Sequence, residues 1–434
     1  MPMRVAFYTL GCKLNQAEAE SLVGQLSQSG FQIVSPNDVA DIYIANTCTV
    51  THVADRKSRH WLRLARRRNP RALIIATGCY AQRSHQELVQ LADLTVDNAE
   101  KEHLSEIIAS LPSTPSCALE TTPLRHCERS EAVSSLTATV RTRSLIKIQD
   151  GCHGPCTYCV VPKVRSREYS LPASQIMDEV NQKVAKGYKE VVLTGTKIGS
   201  YRDGSVDLKD LVRRVLGNTG IKRLRLSSLQ PSEISSEFLT LWQDERLCQH
   251  FHLALQSGSE TVLQRMKRSY SLDLHQRAVN LIKEKIPQVA VTTDIMIGFP
   301  GESDEEFEQS YYFCQQAGFA NVHVFPFSPR PETAAAKMPR QINDKVKQER
   351  NQRMLELSRS SRRHFCEQFL GQTMPVLWEQ ETSPGSGIYS GLTSNYIRVS
   401  AHSEKPLSNE IRPIKLIELH NHGIWGEVRD ENPG

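Results

Sequence analysis

Long apolar runs are absent from this sequence of 434 residues, and no stretch reaches the roughly 18 consecutive apolar residues of a membrane-spanning helix. The N-terminal stretch MPMRVAFYTLGC also lacks the basic region and apolar core of a secretory signal. Internal repeats and low-complexity tracts are missing as well. These absences predict a soluble, cytoplasmic protein that has no membrane partner.

Strong net charge is absent too. The formal charge is only +5, so any affinity for nucleic acid has to come from local basic patches. Cysteine, in contrast, is plentiful. Eleven cysteines, an odd number spread through a long chain, suit metal or redox chemistry better than a disulfide scaffold.

The sequence pattern changes three times along the chain. Short apolar runs alternate with amphipathic stretches near the N-terminus, which predicts a parallel α/β domain. After a linker rich in Ser, Thr and Pro, six strand candidates, most followed by a helix, predict a partial (β/α) barrel. The last segment is rich in strands and turns and predicts a small all-β barrel. The predicted boundaries are 1–111 for the α/β domain, 112–143 for the linker, 144–370 for the partial barrel and 371–434 for the all-β barrel.

Three cysteines lie close together in the stretch LIKIQDGCHGPCTYCVVPKVRSR, directly after the first strand of the predicted partial barrel. The spacing of Cys152, Cys156 and Cys159 is C-x3-C-x2-C, and the glycines and proline among them allow a tight loop. Three thiolates serving a four-iron cluster leave one iron open for a small molecule, usually S-adenosylmethionine (SAM). A zinc loop is the alternative, but zinc normally needs a fourth ligand, and His153 is too near in sequence to supply it.

A second set of cysteines follows three strands of the N-terminal domain. Cys12 follows RVAFYTL, Cys48 follows DIYIAN and Cys79 follows ALIIATG. Loops after adjacent parallel strands gather at one edge of a sheet, so these three thiols can meet in space. The alternative is three unrelated core cysteines, because free cysteine is often buried. Cys248, Cys314 and Cys366 are predicted to be packed small hydrophobic residues, and Cys117 and Cys127, in the linker, have no assigned role.

Several motifs resemble the radical SAM methylthiotransferases, and in particular the branch that acts on threonylcarbamoyladenosine in tRNA. They are YTLGCKLNQAEAE, ANTCTVTHVADRKSR, ATGCYAQ, RLSSLQP, LALQSGSETVLQRMKR, TDIMIGFPGE and HVFPFSPRPETAAA. The resemblance covers nearly the whole chain and fails only in the linker. It implies that Cys152, Cys156 and Cys159 hold a SAM-binding [4Fe–4S] cluster, and that Cys12, Cys48 and Cys79 hold an auxiliary [4Fe–4S] cluster.

The resemblance also implies a SAM site along the ends of the barrel strands. There, small residues and residues with hydroxyl or amide groups can contact the amino group, ribose, carboxylate and adenine of SAM. Ordinary turn chemistry is the alternative for each residue taken singly. The candidate residues are Thr194, Gly195, Thr196, Ser227, Ser228, Gln256, Ser257, Gly258, Gly298 and Pro300.

Two features predict binding to RNA. Arginines recur at helical spacing after Cys48, in a stretch without acidic residues from residue 56 to 71, which favours phosphate contacts over a merely solvated face. These candidates are Arg56, Arg59, Arg63, Arg66 and Arg67. The terminal barrel resembles the RNA-binding TRAM domain, in which aromatic side chains are often core. Its candidate contacts are Trp378, Tyr389, Tyr396 and Arg398.

The resulting hypothesis is a radical SAM enzyme that methylthiolates C2 of N6-threonylcarbamoyladenosine at tRNA position 37. By the resemblance, the SAM-derived radical removes a hydrogen from an unreactive aromatic carbon, and the auxiliary cluster carries the sulfur. An electron donor and a sulfur source are the further partners expected. The alternatives are methylthiolation of a ribosomal protein, and a non-catalytic iron–sulfur protein that binds RNA or senses redox state.

Overall fold

The computed structural model describes residues 2–111 and 142–428. The predicted linker at 112–143, with Cys117 and Cys127, lies almost entirely outside the described residues. The described chain divides into two compact units. The first contains residues 2–111 together with Val160–Ser166, and the second contains 142–159 and 167–428.

The first unit is built on a parallel sheet of five strands in the order β2-β1-β3-β4-β5. Its elements are β1 (Arg4–Thr9), α1 (Lys13–Gln28), β2 (Gln32–Val34), β3 (Ile42–Thr47), α2 (His52–Arg68), β4 (Leu73–Gly78), α3 (Cys79–Arg83), α4 (His85–Leu88), β5 (Leu94–Thr95) and α5 (Leu104–Ser110). A short helix α6 (Val161–Val164) also packs in this unit.

Both faces of this sheet are buried, which explains why its central strands are almost continuously apolar. Successive side chains of a strand point to opposite faces. Accordingly Val5 and Phe7 lie in one apolar cluster, while Ala6 and Tyr8 lie in another. Helices α1 and α5 cover the first face, and α2 covers the second, where Trp61 stacks on Tyr8.

The parallel strands of the second unit follow one another in sequence order. One sheet has the order β11-β8-β6-β7, in which β7 is antiparallel to β6, and the other has the order β12-β13-β14-β15. A single residue, Ser227, separates β11 from β12. The strands are β6 (Arg143–Asp150), β7 (Tyr169–Ser170), β8 (Glu190–Gly195), β9 (Arg202–Asp203), β10 (Val206–Asp207), β11 (Arg223–Leu226), β12 (Ser228–Leu229), β13 (His250–Leu253), β14 (Ala290–Ile297) and β15 (Asn321–Pro326). The helices are α7 (Ala173–Ala185), α8 (Leu208–Asn218), α9 (Ser236–Leu239), α10 (Glu260–Arg265), α11 (Leu272–Lys285), α12 (Asp304–Ala317) and α13 (Asp344–Glu367).

A closed five-stranded barrel completes the second unit, in the order β16-β17-β18-β20-β19. Its strands are β16 (Thr373–Glu381), β17 (Ile388–Thr393), β18 (Arg398–His402), β19 (Ile411–His420) and β20 (Gly423–Val428). The predicted fold class, α/β with a partial barrel and a small all-β barrel, is confirmed. Cys248, Cys314 and Cys366 are 2%, 0% and 3% exposed, so their prediction as packed residues is also confirmed.

Buried charges join the small barrel to the amino ends of the parallel strands. Arg225 is fully buried and donates to the Glu190 carboxylate at 2.8 Å and to the Ser394 carbonyl at 3.0 Å. Arg223 donates to the Leu392 carbonyl at 2.9 Å. The opposite, carboxyl ends of the parallel strands remain the place where the cysteine loop and the candidate SAM residues lie.

Candidate functional site

The three cysteines of the first unit lie at one edge of its sheet. Cys12 caps the N-terminus of α1 two residues after Leu10, Cys48 follows the last residue of β3, and Cys79 begins α3 directly after β4. Strands β1, β3 and β4 are neighbours and parallel, so their carboxyl ends coincide. The topology therefore places the three cysteines at the same edge of the sheet, and their role as a ligand set stays a prediction.

Two glycines permit this close approach. Gly11 has φ +118°, and a Cβ atom there would lie 2.8 Å from Cys48 Cβ and 3.0 Å from Cys48 Sγ. Gly78 has φ +91°, and a Cβ atom would lie 2.5 Å from the Thr47 carbonyl oxygen. Any other residue would be strained at either position and would push the cysteine loops apart.

Asn15 links the cysteine loops through its side chain. Its amide nitrogen donates to the Leu10 carbonyl at 2.9 Å and to the Thr47 carbonyl at 3.0 Å. Its amide oxygen accepts from Arg165 Nη2 at 2.9 Å. Asn15 is 1% exposed, so this single side chain ties the segments before Cys12 and Cys48 to Arg165.

A buried charged network adjoins Cys79, and no sequence prediction identified it. Arg165 Nε donates to Cys79 Sγ at 3.3 Å, and its terminal nitrogens donate to both carboxylate oxygens of Glu18 at 2.8 Å. Lys101 Nζ lies 2.5 Å from the same carboxylate. A pair of polar residues three positions apart on the otherwise apolar face of α1, Asn15 and Glu18, was the available sequence signal.

The chemistry of this site suits an iron–sulfur cluster. Burial raises the pKa of Cys48 to about 12, and the neighbouring thiols of Cys79 and Cys12 add to that rise when charged. Such thiols become thiolates only with a compensating cation such as iron. Within residues 2–111 and 142–428, no three His, Cys, Asp or Glu side chains converge tightly enough for a single metal ion. The ligands of a four-iron cluster bind different irons and so lie farther apart.

The second cysteine loop follows β6 in the second unit. A Cβ atom on Gly154 would lie 3.2 Å from Cys152 Sγ and 4.0 Å from Cys156 Sγ, so both sulfurs face the space beside this glycine. The Cys159 amide donates to the Cys156 carbonyl at 3.2 Å, which closes the turn. All three cysteines are half-buried, and thus reachable by a cofactor.

Arg268 is a further residue that sequence reasoning missed. Its Nη1 atom donates to Cys156 Sγ at 3.1 Å and to the Tyr158 hydroxyl at 3.3 Å. Its Nε atom donates to the Tyr270 hydroxyl at 3.1 Å. In each cysteine set, an arginine thus donates a hydrogen bond to a cysteine sulfur, Arg165 to Cys79 and Arg268 to Cys156.

The candidate SAM residues all lie at or just beyond the carboxyl ends of the parallel strands. Their side chains differ in burial and in whether they already contact other protein groups. Thr196 Oγ1 contacts Asp150 at 3.4 Å. Ser227 Oγ is buried and has no hydrogen-bond partner among the described residues. Gln256 has φ +72°, a conformation that is unusual outside glycine and often marks a functional position. Thr194 is buried, and Ser228 is exposed.

Other candidates in this set are engaged in packing. Ser257 Oγ lies 3.1 Å from Ser310 Oγ, and the Gly258 amide donates to the same hydroxyl at 2.9 Å. A Cβ atom on Gly298 would lie 2.4 Å from Lys347 Cγ. A Cβ atom on Gly195 would lie 2.6 Å from the Gln149 carbonyl oxygen, and Pro300 is buried.

The arginines of α2 fall into two groups. Arg59 donates to Tyr80 and lies 3.4 Å from Glu87, and Arg66 lies 2.5 Å from Asp93. Arg56, Arg63 and Arg67 are exposed, and none of them forms an ion pair with another described residue. These three define the exposed stripe of α2.

The terminal barrel uses its candidate contacts mostly for its own structure. Trp378 is 0% exposed and lies in the barrel core, so the alternative of a core aromatic applies to it and it is not available for stacking. Tyr396 stacks on His250 with ring centroids 4.6 Å apart. Arg398 is exposed but lies 3.0 Å from Glu379, and Tyr389 is half-buried against the core.

Comparisons with known proteins agree with this architecture. Residues 4–97 match the family described as Uncharacterized protein family UPF0004, and residues 146–314 match the Radical SAM superfamily. The threonylcarbamoyladenosine tRNA methylthiotransferase MtaB of Aquifex aeolicus is 36% identical over 414 residues, which are 94% of this chain and 99% of that protein. The chain belongs to the radical SAM methylthiotransferase family. It is an enzyme whose cofactors are SAM and [4Fe–4S] clusters.

Two further relatives and one solved structure are also similar to this chain. MtaB of Bacillus subtilis is 34% identical, covering 98% of this chain and 97% of that protein. The tRNA-2-methylthio-N(6)-dimethylallyladenosine synthase of Syntrophotalea carbinolica is 30% identical, covering 97% of this chain and 99% of that protein. The radical SAM methyltransferase TsrM of Kitasatospora setae shares the fold, with a TM-score of 0.55 and 16% identity over 77% of this chain and 74% of that chain. Among the described residues, no helix is long and apolar enough to cross a membrane.

Proposed function

We propose that the two cysteine sets hold two separate [4Fe–4S] clusters. Cys152, Cys156 and Cys159 would hold the SAM-binding cluster, and Cys12, Cys48 and Cys79 would hold the auxiliary cluster. The observation that carries this proposal is that each compact unit contributes its own group of three cysteines beside strand ends, in a chain of this family. Zinc in the C-x3-C-x2-C loop is disfavoured, since no three His, Cys, Asp or Glu side chains of the described residues lie close enough to bind a single metal ion.

The protein residues around the C-x3-C-x2-C loop would hold and orient SAM. The cluster on this loop would pass an electron from the external donor to SAM, and the auxiliary cluster would supply sulfur for the methylthio group. Ser227 offers a buried hydroxyl without a partner in the described chain, and Gln256 and Thr196 lie at neighbouring strand ends. Ser257 and Gly258 would hold the backbone of this pocket in place through their hydrogen bonds to the Ser310 hydroxyl.

The substrate that we propose is N6-threonylcarbamoyladenosine at position 37 of tRNA, methylthiolated at C2. Relatives named for threonylcarbamoyladenosine are 31% to 36% identical to this chain, whereas relatives named for dimethylallyladenosine are 29% to 30% identical. The exposed stripe of α2 is suited to phosphate contacts. An electron donor and a sulfur source complete the partners, and the cytoplasm, where tRNA is modified, is the expected location.

Mass spectrometry of tRNA nucleosides from cells that lack the gene tests the substrate. We expect loss of 2-methylthio-N6-threonylcarbamoyladenosine, and restoration by the wild-type gene and by a Cys248→Ala control, since Cys248 is a buried cysteine outside both sets. Cys12→Ala and Cys156→Ala should not restore it. Loss of the dimethylallyl product, or of a modified ribosomal protein with the tRNA unchanged, would reject this substrate.

The division of labour between the cysteine sets can be tested with purified protein after anaerobic reconstitution. A triple Cys→Ala variant of Cys12, Cys48 and Cys79 should lose about half of the bound iron, still form 5′-deoxyadenosine from SAM under reduction, and make no methylthio product. The corresponding variant of Cys152, Cys156 and Cys159 should form no 5′-deoxyadenosine. Full iron content in either triple variant would contradict the assignment of its ligands.

A further inference from the structure

The segment that follows the C-x3-C-x2-C loop contributes a buried arginine to the first unit. Residues Val160–Ser166 pack in that unit, and Arg165 is 6% exposed. Its guanidinium donates at once to Cys79 Sγ at 3.3 Å, to the Glu18 carboxylate at 2.8 Å and to the Asn15 amide oxygen at 2.9 Å. A planar guanidinium has donors in fixed directions, so this arrangement holds its charge beside the cysteine sulfur.

Two cations of this network lie on one carboxylate. Arg165 and Lys101 both contact Glu18, and Glu18 and Lys101 are almost fully buried, at 4% and 1% exposure. Charges interact strongly where water is excluded. The negative charge that cysteine thiolates bring to a cluster would therefore interact favourably with the Arg165 guanidinium beside Cys79.

We propose that Arg165 is a positioning residue that raises the reduction potential of the auxiliary cluster, with Lys101 acting more weakly in the same direction. This inference rests on the proposed ligand set Cys12, Cys48 and Cys79. Reduction adds one negative charge to a cluster, and a hydrogen bond to a ligand sulfur together with a nearby cation stabilises the reduced form. Arg165 donates directly to Cys79 Sγ, whereas Lys101 lies on the Glu18 carboxylate, and this gives Arg165 the larger effect.

A redox titration separates this role from a merely structural one. The titration uses the full-length chain with Cys152, Cys156 and Cys159 replaced by alanine, so that only the auxiliary cluster contributes to the signal. Iron and sulfide are counted first, and the midpoint potential is then measured by electron paramagnetic resonance during graded reduction with dithionite. If this background holds no cluster, the proposed ligand set fails, whatever the role of Arg165.

The variants are Arg165→Gln, Arg165→Lys, Lys101→Met and the control Arg83→Gln. Arg83 is a second partly buried guanidinium of the same unit, and it pairs with Asp55 at 3.3 Å. We expect Arg165→Gln to move the midpoint to a clearly more negative potential. Arg165→Lys should give an intermediate value, because the charge remains while the bond from Nε is lost. Arg83→Gln should not change the midpoint.

Two outcomes would overturn the inference. One is an Arg165→Gln protein with the full iron content of the triple-alanine background, whose midpoint differs from that of the background no more than the midpoint of Arg83→Gln does. The other applies if Arg165→Gln loses its iron. In that case an unchanged midpoint potential in the Lys101→Met protein rejects the effect of charge on the cluster. A negative shift in Lys101→Met, smaller than that of a loaded Arg165→Gln, supports it.

Discussion

The exposed stripe of α2 gives a quantitative test of tRNA binding. Replacing Arg56, Arg63 and Arg67 by glutamine removes three positive charges that have no ion-pair partner in the described chain. The change should leave folding intact, because these side chains are exposed. Arg59 and Arg66 are left in place, since their contacts with Glu87 and Asp93 support the fold.

The size of the effect follows from counterion release. Each phosphate contact contributes about 0.7 to 0.9 to the slope of log Kd against log salt concentration, so three contacts should lower the slope by roughly 2 to 3 units. At about 0.1 M salt the same loss weakens binding on the order of 10²-fold. Formation of 5′-deoxyadenosine without RNA should not change, because these residues belong to the unit without the C-x3-C-x2-C loop.

The measurement is a tRNA binding titration across a salt series. A control variant, Arg213→Gln, Arg214→Gln and Arg277→Gln, removes the same charge from exposed positions of the second unit. We expect the control to shift the slope by much less than the stripe variant does. Equal slopes for the two variants would refute phosphate binding by the stripe, and would leave the terminal barrel as the main RNA contact.

Three further changes test other parts of the structure. Glu190→Gln should lower the free energy of unfolding of the second unit by about 3 kcal/mol at pH 7, measured by thermal unfolding. Burial alone would raise the pKa of Glu190, but Arg225 and Arg223 lower it from 4.5 to about 2. The stabilisation is therefore complete above about pH 5 and is lost as the pH falls towards 2. Equal unfolding temperatures for wild type and variant at pH 7 would contradict it. Asn15→Ala should remove auxiliary iron selectively, and unchanged iron would show that its links are dispensable. Ser227→Ala should weaken SAM binding roughly tenfold by calorimetry, as expected for one buried hydrogen bond, whereas an unchanged affinity would exclude this hydroxyl from the pocket.

The sequence was sufficient to predict that three cysteines follow neighbouring strands of one parallel sheet. Cys12, Cys48 and Cys79 follow strands that are parallel neighbours, and this depends only on the alternation of strands and helices. Which of the side chains at the strand ends are free to contact SAM, and which are engaged by other protein groups, could not be predicted in the same way. Ser227 and Ser257 both follow strands and look alike in sequence, but only Ser257 meets a hydroxyl from a distant helix. Such differences depend on contacts between residues far apart in the chain.

Helical periodicity predicted the position of the arginines on α2 but not their contacts. It placed five arginines on α2, but the choice between protein partners and solvent depends on small rotations around the helix axis. Arg59 and Arg66 lie on the side that meets Tyr80 and Asp93, whereas Arg56, Arg63 and Arg67 lie farther from the sheet. Trp378 shows the same limit, because a strand residue faces either the core or the solvent and only the register of the barrel decides.

The network around Arg165 shows which signal deserves more weight in a sequence of this kind. Arg165 is 86 residues from Cys79, and no local pattern connects them. Asn15 and Glu18, however, lie on the same face of α1 as Ala19, Leu22 and Leu26, which are buried. A carboxylate on an apolar helix face needs a buried cation, because an unpaired charge there is too costly. That requirement, read together with Cys12 at the start of the same helix, is enough to predict a positively charged partner beside the cysteine edge of the sheet, although not which residue provides it.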